Sequence, residues 1–256
     1  MTQHHIDFFT KSAPYYDTLL NLITFGGYEN FLRKAVKIFK PQQGEKILDL
    51  CSGTGKVVSW ISKAVGKEGL VIGMDIAQGM IDVAQERYEA LANVIFLKKD
   101  VTQPWEYQDD FDGIFTSFSI HELPEKYRAE VLERCYSALK GDGRMVIADF
   151  HPRPSGMAGL FSHLFFQLFE RRNLSFLSFP QDEILKELGF NKIRTISVFG
   201  GVFQITLAQR GSGHYHCRQS DPCRQQPTVL VVDDYRLKDS MTDKLDPNAN
   251  NGVTSG

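Results

Sequence analysis

An aspartate near the end of a short apolar stretch is followed, a few residues later, by two glycines. This pattern suits a ligand with a positive charge. The run 47–50 reads as a buried strand. Gly53 and Gly55 let the backbone turn tightly and let a ligand approach, because a Cβ would obstruct both. A helix predicted from Val57 then presents free backbone N–H groups. Asp49 would repel a pyrophosphate, but it suits a bound cation.

Three kinds of nucleotide site compete for this turn. A dinucleotide fingerprint needs a third glycine at position 58, where the chain has Val58. A phosphate-binding P-loop needs a glycine where Leu50 stands and a hydroxyl where Val57 stands. The pattern that remains is D-x-C-x-G-x-G, although a glycine turn that binds nothing would also account for it.

Further polar residues end the next apolar runs. Asp75 lies 20 residues beyond Gly55, where a Rossmann-like second strand presents a carboxylate to ribose hydroxyls. Asp100 follows the third run and Ser117 lies at the end of the fourth. Because the carboxyl ends of parallel strands meet at one edge of a sheet, Asp49 and these residues are expected to line one crevice.

Strand and helix patterns alternate over about a hundred residues, which is typical of a parallel sheet with helices on both faces. The last two strands flank Gly200–Gly201 and are predicted to form a hairpin. The fold class predicted is α/β: a Rossmann-like, doubly wound, mostly parallel seven-stranded sheet with a C-terminal antiparallel hairpin. The predicted strands are 47–50, 69–75, 93–99, 111–119, 145–150, 193–199 and 202–208.

Composition bounds the class of protein. The chain has 256 residues, a formal net charge of −2 and 42% hydrophobic residues, which fits one sizeable core. The balanced charge predicts no nucleic-acid partner. Neither a membrane-spanning run nor a leader pattern is evident, so a cytoplasmic location is expected. The four cysteines are too few and too scattered for a disulfide framework, and the oligomeric state is left open.

An insertion at 152–180 carries a wide apolar helix face ending in Arg171–Arg172. It is interpreted either as a cap over the active site or as a surface that receives a lipophilic substrate or rests on a membrane through 157–172, and both can hold. The face consists of Met157, Leu160, Phe161, Leu164, Phe165, Leu168 and Phe169.

The stretch 211–256 is predicted to be a disordered tail, because it has few apolar residues. Residues 228–234 resemble the opening strand of a response-regulator receiver domain, but too little chain follows for a complete one. The tail's candidate metal ligands are His214, His216, Cys217 and Cys223. Their spacing fits no zinc pattern, so no metal site is expected.

The D-x-C-x-G-x-G turn resembles motif I of the class I S-adenosylmethionine-dependent methyltransferases. Residues 6–209 resemble the C-methyltransferases of ubiquinone and menaquinone biosynthesis from end to end. The matching parts are Tyr16-Asp17, L-D-L-C-S-G-T-G, G-M-D-I-A-Q-G-M at 73–80, residues 116–119 and Gly200-Gly201. The resemblance implies one methyltransferase domain at 1–210, with residues 1–40 as a helical lid.

The same resemblance implies S-adenosylmethionine as the cofactor. Its methionine end, with an ammonium and a sulfonium, would face the motif I turn beneath Tyr16. Asp75 would bind the ribose, Met80 would pack on the adenine, and Asp100 would reach the exocyclic amine. The cofactor-binding residues expected are Tyr16, Asp49, Gly53, Thr54, Gly55, Asp75, Ile76, Met80, Asp100, Val101 and Ser117.

Two departures from that family concern the methyl acceptor. The family carries an Arg-Asn pair after the fourth strand, where this chain has His121-Glu122, and the insertion lacks part of a Tyr- and Ser-containing segment ahead of Phe179. His121 is the candidate general base because it follows the fourth strand and titrates near neutrality. It is equally interpretable as a helix-entry residue bonded to backbone.

The function expected is methyl transfer to a small apolar acceptor such as a quinol ring. The alternatives left open are another small molecule, a phospholipid headgroup and a non-catalytic cofactor-binding module. A nicotinamide-dependent dehydrogenase is disfavoured by Val58 and Asp49.

Overall fold

A seven-stranded mixed sheet forms the centre of the fold, in the order β3-β2-β1-β4-β5-β7-β6. The computed structural model describes residues 3–169 and 171–211, so the predictions for the tail lie outside it. The strands are β1 Lys46–Leu50, β2 Leu70–Asp75, β3 Val94–Lys98, β4 Phe111–Ser117, β5 Leu139–Phe150, β6 Phe190–Val198 and β7 Phe203–Arg210. The first five strands run parallel, and β7 is antiparallel to both of its neighbours. The predicted fold class is confirmed.

Helices pack on both faces of this sheet. They are α1 Gln3–Ser12, α2 Tyr16–Ile23, α3 Gly27–Phe39, α4 Lys56–Val65, α5 Gln78–Tyr88, α6 Glu125–Ala138, α7 Gly156–Phe169 and α8 Gln181–Glu187, with 3₁₀ turns at Arg171–Ser178 and Phe199–Gly201. Side chains alternate across a strand, so Ile47 packs among α3, α4 and α5 while Leu48 and Leu50 pack on the opposite face with α6 and α8. Because helices cover both faces of the sheet, the carboxyl ends of the strands remain available to form a site.

The strand β5 begins earlier than the sequence pattern predicts. The predicted strand starts at residue 145, yet Leu139 already pairs with Phe111 and the regular pairing resumes at Gly113 with Arg144. The intervening residues form a bulge in which Asp142 has a φ of 64°. The composition of a bulge and that of a turn are alike, so the pattern alone does not separate them.

The helix α1 lies against α5 at very close range. A Cβ on Gly79, near the start of α5, would lie 2.3 Å from the carbonyl oxygen of Thr10. A glycine is therefore required here for the two helices to touch. This contact sets the N-terminal helices beside the carboxyl end of β2.

The helix α7 presents most of its predicted apolar face to solvent. Met157 is 89% exposed and Leu160 is 73% exposed, whereas Phe166 on the other side is fully buried. Its buried side also includes Gly159 and Ser162. Across the described residues, no helix combines the length and the apolar character that crossing a membrane requires.

Candidate active site

A cavity opens at the carboxyl end of the sheet, between the turn after β1, the ends of β2 and β4, and the N-terminal helices. Its free volume, including the open mouth, is about 730 Å³. It is lined by Phe9, Tyr16, Asp17, Tyr28, Leu32, Cys51, Ser52, Gly53, Thr54, Lys56, Val57, Asp75, Ile76, Met80, Ser117, Phe118, Ser119 and Glu122. Of the residues predicted to bind a cofactor, the wall contains Tyr16, Gly53, Thr54, Asp75, Ile76, Met80 and Ser117.

A smaller cavity adjoins the first and shares Cys51 and Ile76 with it. Asp100 and Val101, also predicted to bind the cofactor, line this second space. The Oδ1 atom of Asp100 accepts hydrogen bonds from the backbone N–H of Thr102 at 2.9 Å and from its hydroxyl at 2.7 Å. These bonds fix the carboxylate of Asp100 at the edge of the cavity.

Asp75 joins the glycine turn to the end of β2. Its Oδ2 accepts the backbone N–H of Gly53 at 2.9 Å, and its Oδ1 accepts that of Ala77 at 2.8 Å. Burial raises the pKa of the Asp75 carboxyl, and these backbone donors act in the opposite direction. Each carboxylate oxygen can accept a second hydrogen bond, so Asp75 can receive a vicinal diol from the cavity side.

Asp49 lies behind the turn and not in the cavity wall. It is 1% exposed, and its Oδ2 has no hydrogen-bond partner within the described residues. Burial raises the pKa of this carboxyl well above its usual value, and the negative charge of Asp75 raises it further. A buried acceptor of this kind is costly in the empty protein, and it favours a cationic ligand nearby.

The two glycines of the turn have different surroundings. Gly53 has a φ of 53°, and a Cβ built on it would meet nothing within 4 Å, so it keeps the turn open. Gly55 has a φ of 77°, and its Cβ would lie 2.6 Å from the ring of Phe96. Gly55 therefore allows α4 to pack on β3, and its contact with a cofactor stays a prediction.

The N-terminal helices close one side of the cavity through Asp17. This buried carboxylate accepts the hydroxyl of Thr54 at 2.7 Å and a guanidinium N–H of Arg87 at 2.6 Å. The ammonium of Lys56 lies 3.8 Å away. The pair Tyr16-Asp17 belongs to the matching sequence, but a role was predicted only for Tyr16, because partners 37 and 70 residues distant from Asp17 leave no local signal.

Aromatic side chains form an aromatic wall in the lining of the cavity, through Tyr28 and Phe118. Tyr28 stacks on Phe118 with ring centroids 5.7 Å apart, and Phe31 and Phe203 contact the other sides of Phe118. Burial raises the pKa of the Tyr28 hydroxyl well above its usual value. This wall was not predicted from the sequence, although the aromatic residues of 111–119 gave a partial signal.

His121, the predicted base, is held below the cavity wall. Its Nδ1 lies 2.6 Å from Oδ1 of Asp149, and its backbone N–H donates to Oδ2 at 3.2 Å. The edges of Phe150, Phe166 and Phe176 surround the ring. The next residue, Glu122, reaches the cavity instead, so the role of His121 as the base stays a prediction.

Comparison with known proteins gives a consistent result. Residues 2–171 match the model of the ubiE/COQ5 methyltransferase family. A demethylmenaquinone methyltransferase from Lactobacillus johnsonii is 34% identical over 166 residues, which cover 64% of this chain and 67% of that protein. A 2-phytyl-1,4-naphtoquinone methyltransferase from Thermosynechococcus vestitus is 26% identical over 228 residues, covering 79% of this chain and 97% of that protein.

Solved structures resemble the fold. A SAM-dependent methyltransferase from Aquifex aeolicus superposes with a TM-score of 0.52 at 24% identity, over 70% of this chain and 88% of that one. A phosphoethanolamine N-methyltransferase from Haemonchus contortus, in complex with S-adenosyl-L-methionine, gives a TM-score of 0.60 at 18% identity, over 73% and 53%. At these identities the likeness concerns the fold alone.

Proposed function

The chain belongs to the ubiE/COQ5 methyltransferase family, and on that premise we propose that it methylates a ring carbon of a reduced naphthoquinone bearing an apolar chain. It is an S-adenosylmethionine-dependent methyltransferase. The relatives from L. johnsonii and T. vestitus support this acceptor class by their names. The reduced form is required because a quinol carbon is nucleophilic, whereas the oxidised quinone is electrophilic.

The observation that carries the proposal is that acidic and aromatic side chains line one and the same cavity. Asp75 and the open turn at Gly53 suit the polar, cationic donor. Tyr28 and Phe118 suit a flat apolar ring. We assign residues 1–210 to this methyltransferase domain, with 1–40 as its lid and 152–180 as a cap insertion.

The polar residues of the cavity would bind the cofactor at its methionine part and at its nucleoside part. The bound cofactor supplies a methyl group on a sulfonium, which is already activated for displacement. Gly53 and Thr54 would contact the methionine part, with Asp49 and Tyr16 near its charged groups. Asp75 would accept the ribose hydroxyls. The remaining proposed contacts on the adenine side are Ile76, Met80, Asp100 and Val101, with Gly55 and Ser117 completing the set.

The negative charges behind the turn would draw the cationic donor into the site. Burial and the negative charge of Asp75 both raise the cost of ionising Asp49. A sulfonium and an ammonium nearby would reverse that cost, since an opposite charge favours the ionised carboxylate. Binding energy would thus come from relieving an unfavourable state of the free protein.

The aromatic wall would align the acceptor and exclude water. In-line displacement on a sulfonium methyl needs the two reacting atoms close together and collinear with the leaving sulfur, so positioning provides most of the rate. Phe118 has a φ of 49°, which turns its ring from the end of β4 into this wall. A base that removes the acceptor proton would add about 10²- to 10⁴-fold.

An exposed apolar band next to the aromatic wall is proposed to rest on a membrane that holds the acceptor. The band joins α7 to the 3₁₀ turn at Phe199, because a Cβ on Gly201 would lie 3.6 Å from Ala158. It continues to the segment after α2, where Phe25 is 96% exposed and a Cβ on Gly27 would lie 3.6 Å from Phe199. Arg171 and Arg172 follow α7 and favour anionic headgroups.

Methyl transfer from labelled S-adenosylmethionine tests the proposal. The acceptors are a chemically reduced demethylated naphthoquinone with a prenyl chain, the same compound in its oxidised form, and phosphatidylethanolamine vesicles. The label is expected on the reduced quinone only. Label on the phospholipid, or on no acceptor although the donor binds, would refute the acceptor class.

The membrane contact has a separate test. Flotation with anionic vesicles is compared for the wild type and for a Leu160→Ser/Leu164→Ser variant, with Gln167→Ser on the same helix as the control. Loss of flotation in the double variant alone is expected. Equal flotation of all three proteins would refute the proposed membrane contact.

A further inference from the structure

We propose that Glu122 is the group that takes the acceptor's proton, and that His121 and Asp149 position it. The inference rests on the proposed function and identifies the side chain that meets the acceptor. It differs from the sequence-based prediction, in which His121 itself was the base.

Glu122 is the carboxylate that reaches the cavity from the loop after β4. It lines the wall beside Phe118 and Ser119, close to the aromatic surface proposed for the acceptor. Its side chain is 8% exposed, so most of its surface is covered by protein. A carboxylate in such a setting can accept a proton from a ligand without competition from bulk water.

A line of three polar groups leads from Glu122 into the interior. Oε1 of Glu122 lies 3.7 Å from Nε2 of His121, whose Nδ1 lies 2.6 Å from the fully buried Asp149. Asp149 also accepts the backbone N–H groups of His121 and Phe150, at 3.2 Å and 2.7 Å. When Nδ1–H donates to Asp149, the ring is fixed with Nε2 towards Glu122; at 3.7 Å this is a close contact and not a hydrogen bond, so His121 positions the carboxylate and does not share its proton.

Elements on the other sides of Glu122 also converge on it. His5 of α1 places Nδ1 3.5 Å from Oε2, and Asn173 donates to the same oxygen at 3.3 Å. Arg172 contacts the ring of His5, and Arg128 donates to the carbonyl of His121 at 3.2 Å. Charged groups of the same cavity wall are Asp17, Lys56 and Asp75. The carboxylate of Glu122 is therefore held by residues from α1, from the 3₁₀ turn after α7 and from the loop after β4. A glutamate that is merely exposed on the surface does not require such support.

Glu122 accepts the proton of the quinol hydroxyl that is ortho to the reacting carbon. That carbon forms the new C–C bond to the methyl group while the C–S bond breaks, and sulfur keeps the electron pair. The ring carbon then loses its hydrogen to water as a proton, and Glu122 returns its proton to the oxygen. One proton is released for each methyl group transferred.

Glu122→Gln tests the proposal, with Glu125→Gln, three residues later and exposed, as the matched control. Turnover of the reduced quinone by Glu122→Gln is expected to fall about 100-fold or more, and the affinity for S-adenosylhomocysteine is expected to stay within about threefold of the wild type, too small a change to indicate a lost hydrogen bond. The rising limb of kcat/KM against pH should disappear in this variant and persist in the control. Unchanged turnover of the quinol by Glu122→Gln would overturn the inference.

His121→Asn tests the positioning role. Because His121 would act through Glu122, the double variant is expected to be no slower than Glu122→Gln alone. Rates that multiply would show that the two residues act separately and would overturn the positioning role. Should Glu122→Gln fail to fold, Glu122→Asp replaces it. The shorter side chain withdraws the carboxylate from the acceptor, so wild-type turnover by Glu122→Asp would count against the proposal. A wild type that binds the donor but methylates no quinol would refute the proposed function instead.

Discussion

The variant Asp49→Asn tests two effects of the buried Asp49 carboxylate: it lowers the stability of the free protein, and it raises the affinity for a cationic ligand. The substitution keeps the shape of the side chain and removes its charge. Asp49 is almost completely buried, and one of its oxygens has no partner within the described residues. We expect the free protein to become more stable and its affinity for the cofactor to fall, because the same carboxylate opposes folding and favours a cationic ligand.

Both magnitudes can be estimated from this position. An unpaired buried charge costs more than the roughly 1–3 kcal/mol of an unpaired neutral polar group, so we expect its removal to stabilise the protein by about 1–3 kcal/mol. About 2–4 °C of melting temperature corresponds to each kcal/mol in a chain of this size. For binding, Asp49 lies behind the turn, so a separation of about 8 Å from the cationic group and an effective dielectric constant of about 20 give about 2 kcal/mol. That energy corresponds to an affinity about 30-fold weaker.

The sign of the pH dependence follows from the raised pKa of Asp49. A carboxyl whose pKa is raised by folding makes the folded state bind more protons, so its contribution to stability is lost as the pH rises from the ordinary value of 3.8 through the raised one. Asparagine does not titrate. The stability advantage of Asp49→Asn should therefore be largest near neutrality and shrink as the pH falls.

The assay combines thermal unfolding with calorimetric titration of S-adenosylhomocysteine and S-adenosylmethionine. Asp82→Asn, on the exposed side of α5, is the matched control and should change neither quantity. A less stable Asp49→Asn protein with wild-type affinity would refute the reasoning, since it would mean that Asp49 stabilises the turn and does not attract the ligand.

Three further predictions concern the walls of the cavity. Asp75→Asn should weaken S-adenosylhomocysteine binding about 10- to 150-fold, which corresponds to the loss of one charge-assisted hydrogen bond. Calorimetric titration measures this affinity, and an unchanged value would contradict the ribose-binding role. Asp17→Ala should expose the segment before residue 40 to limited proteolysis, and wild-type resistance would contradict its role in holding the N-terminal helices. Gly79→Ala should weaken the same binding because its Cβ would meet Thr10, whereas Gly141→Ala, with open space around it, should not.

The sequence predicts the centre of the sheet well because β1, β2 and β4 are buried on both faces and read as apolar runs. The run 47–50 and the acid at Asp75 occur where the pattern places them, and the two glycines at 200–201 separate the antiparallel strands. The start of β5 was placed too late, since the bulge around Asp142 has the composition of a turn. The local periodicity of the sequence indicates where helices and strands lie, but it does not indicate where the pairing between two strands is irregular.

The site was only partly predictable for a different reason. Gly53, Thr54 and Asp75 belong to local patterns that require them at a strand end. The link from His121 to Asp149 spans 28 residues, and the burial that it brings is a property of the fold. The sequence therefore indicated the donor's side of the cavity more fully than the acceptor's side.

The contacts of Asp17 have a consequence for how the enzyme completes a cycle. Thr54 in the glycine turn and Arg87 on α5 are both tied to this one carboxylate, so the N-terminal helices are fastened to the region where spent cofactor must leave. We expect the opening of these contacts to ease the exchange of product for fresh donor. Because Arg87 is 34% exposed, dissolved ions screen its tie, and higher ionic strength should hasten product exit.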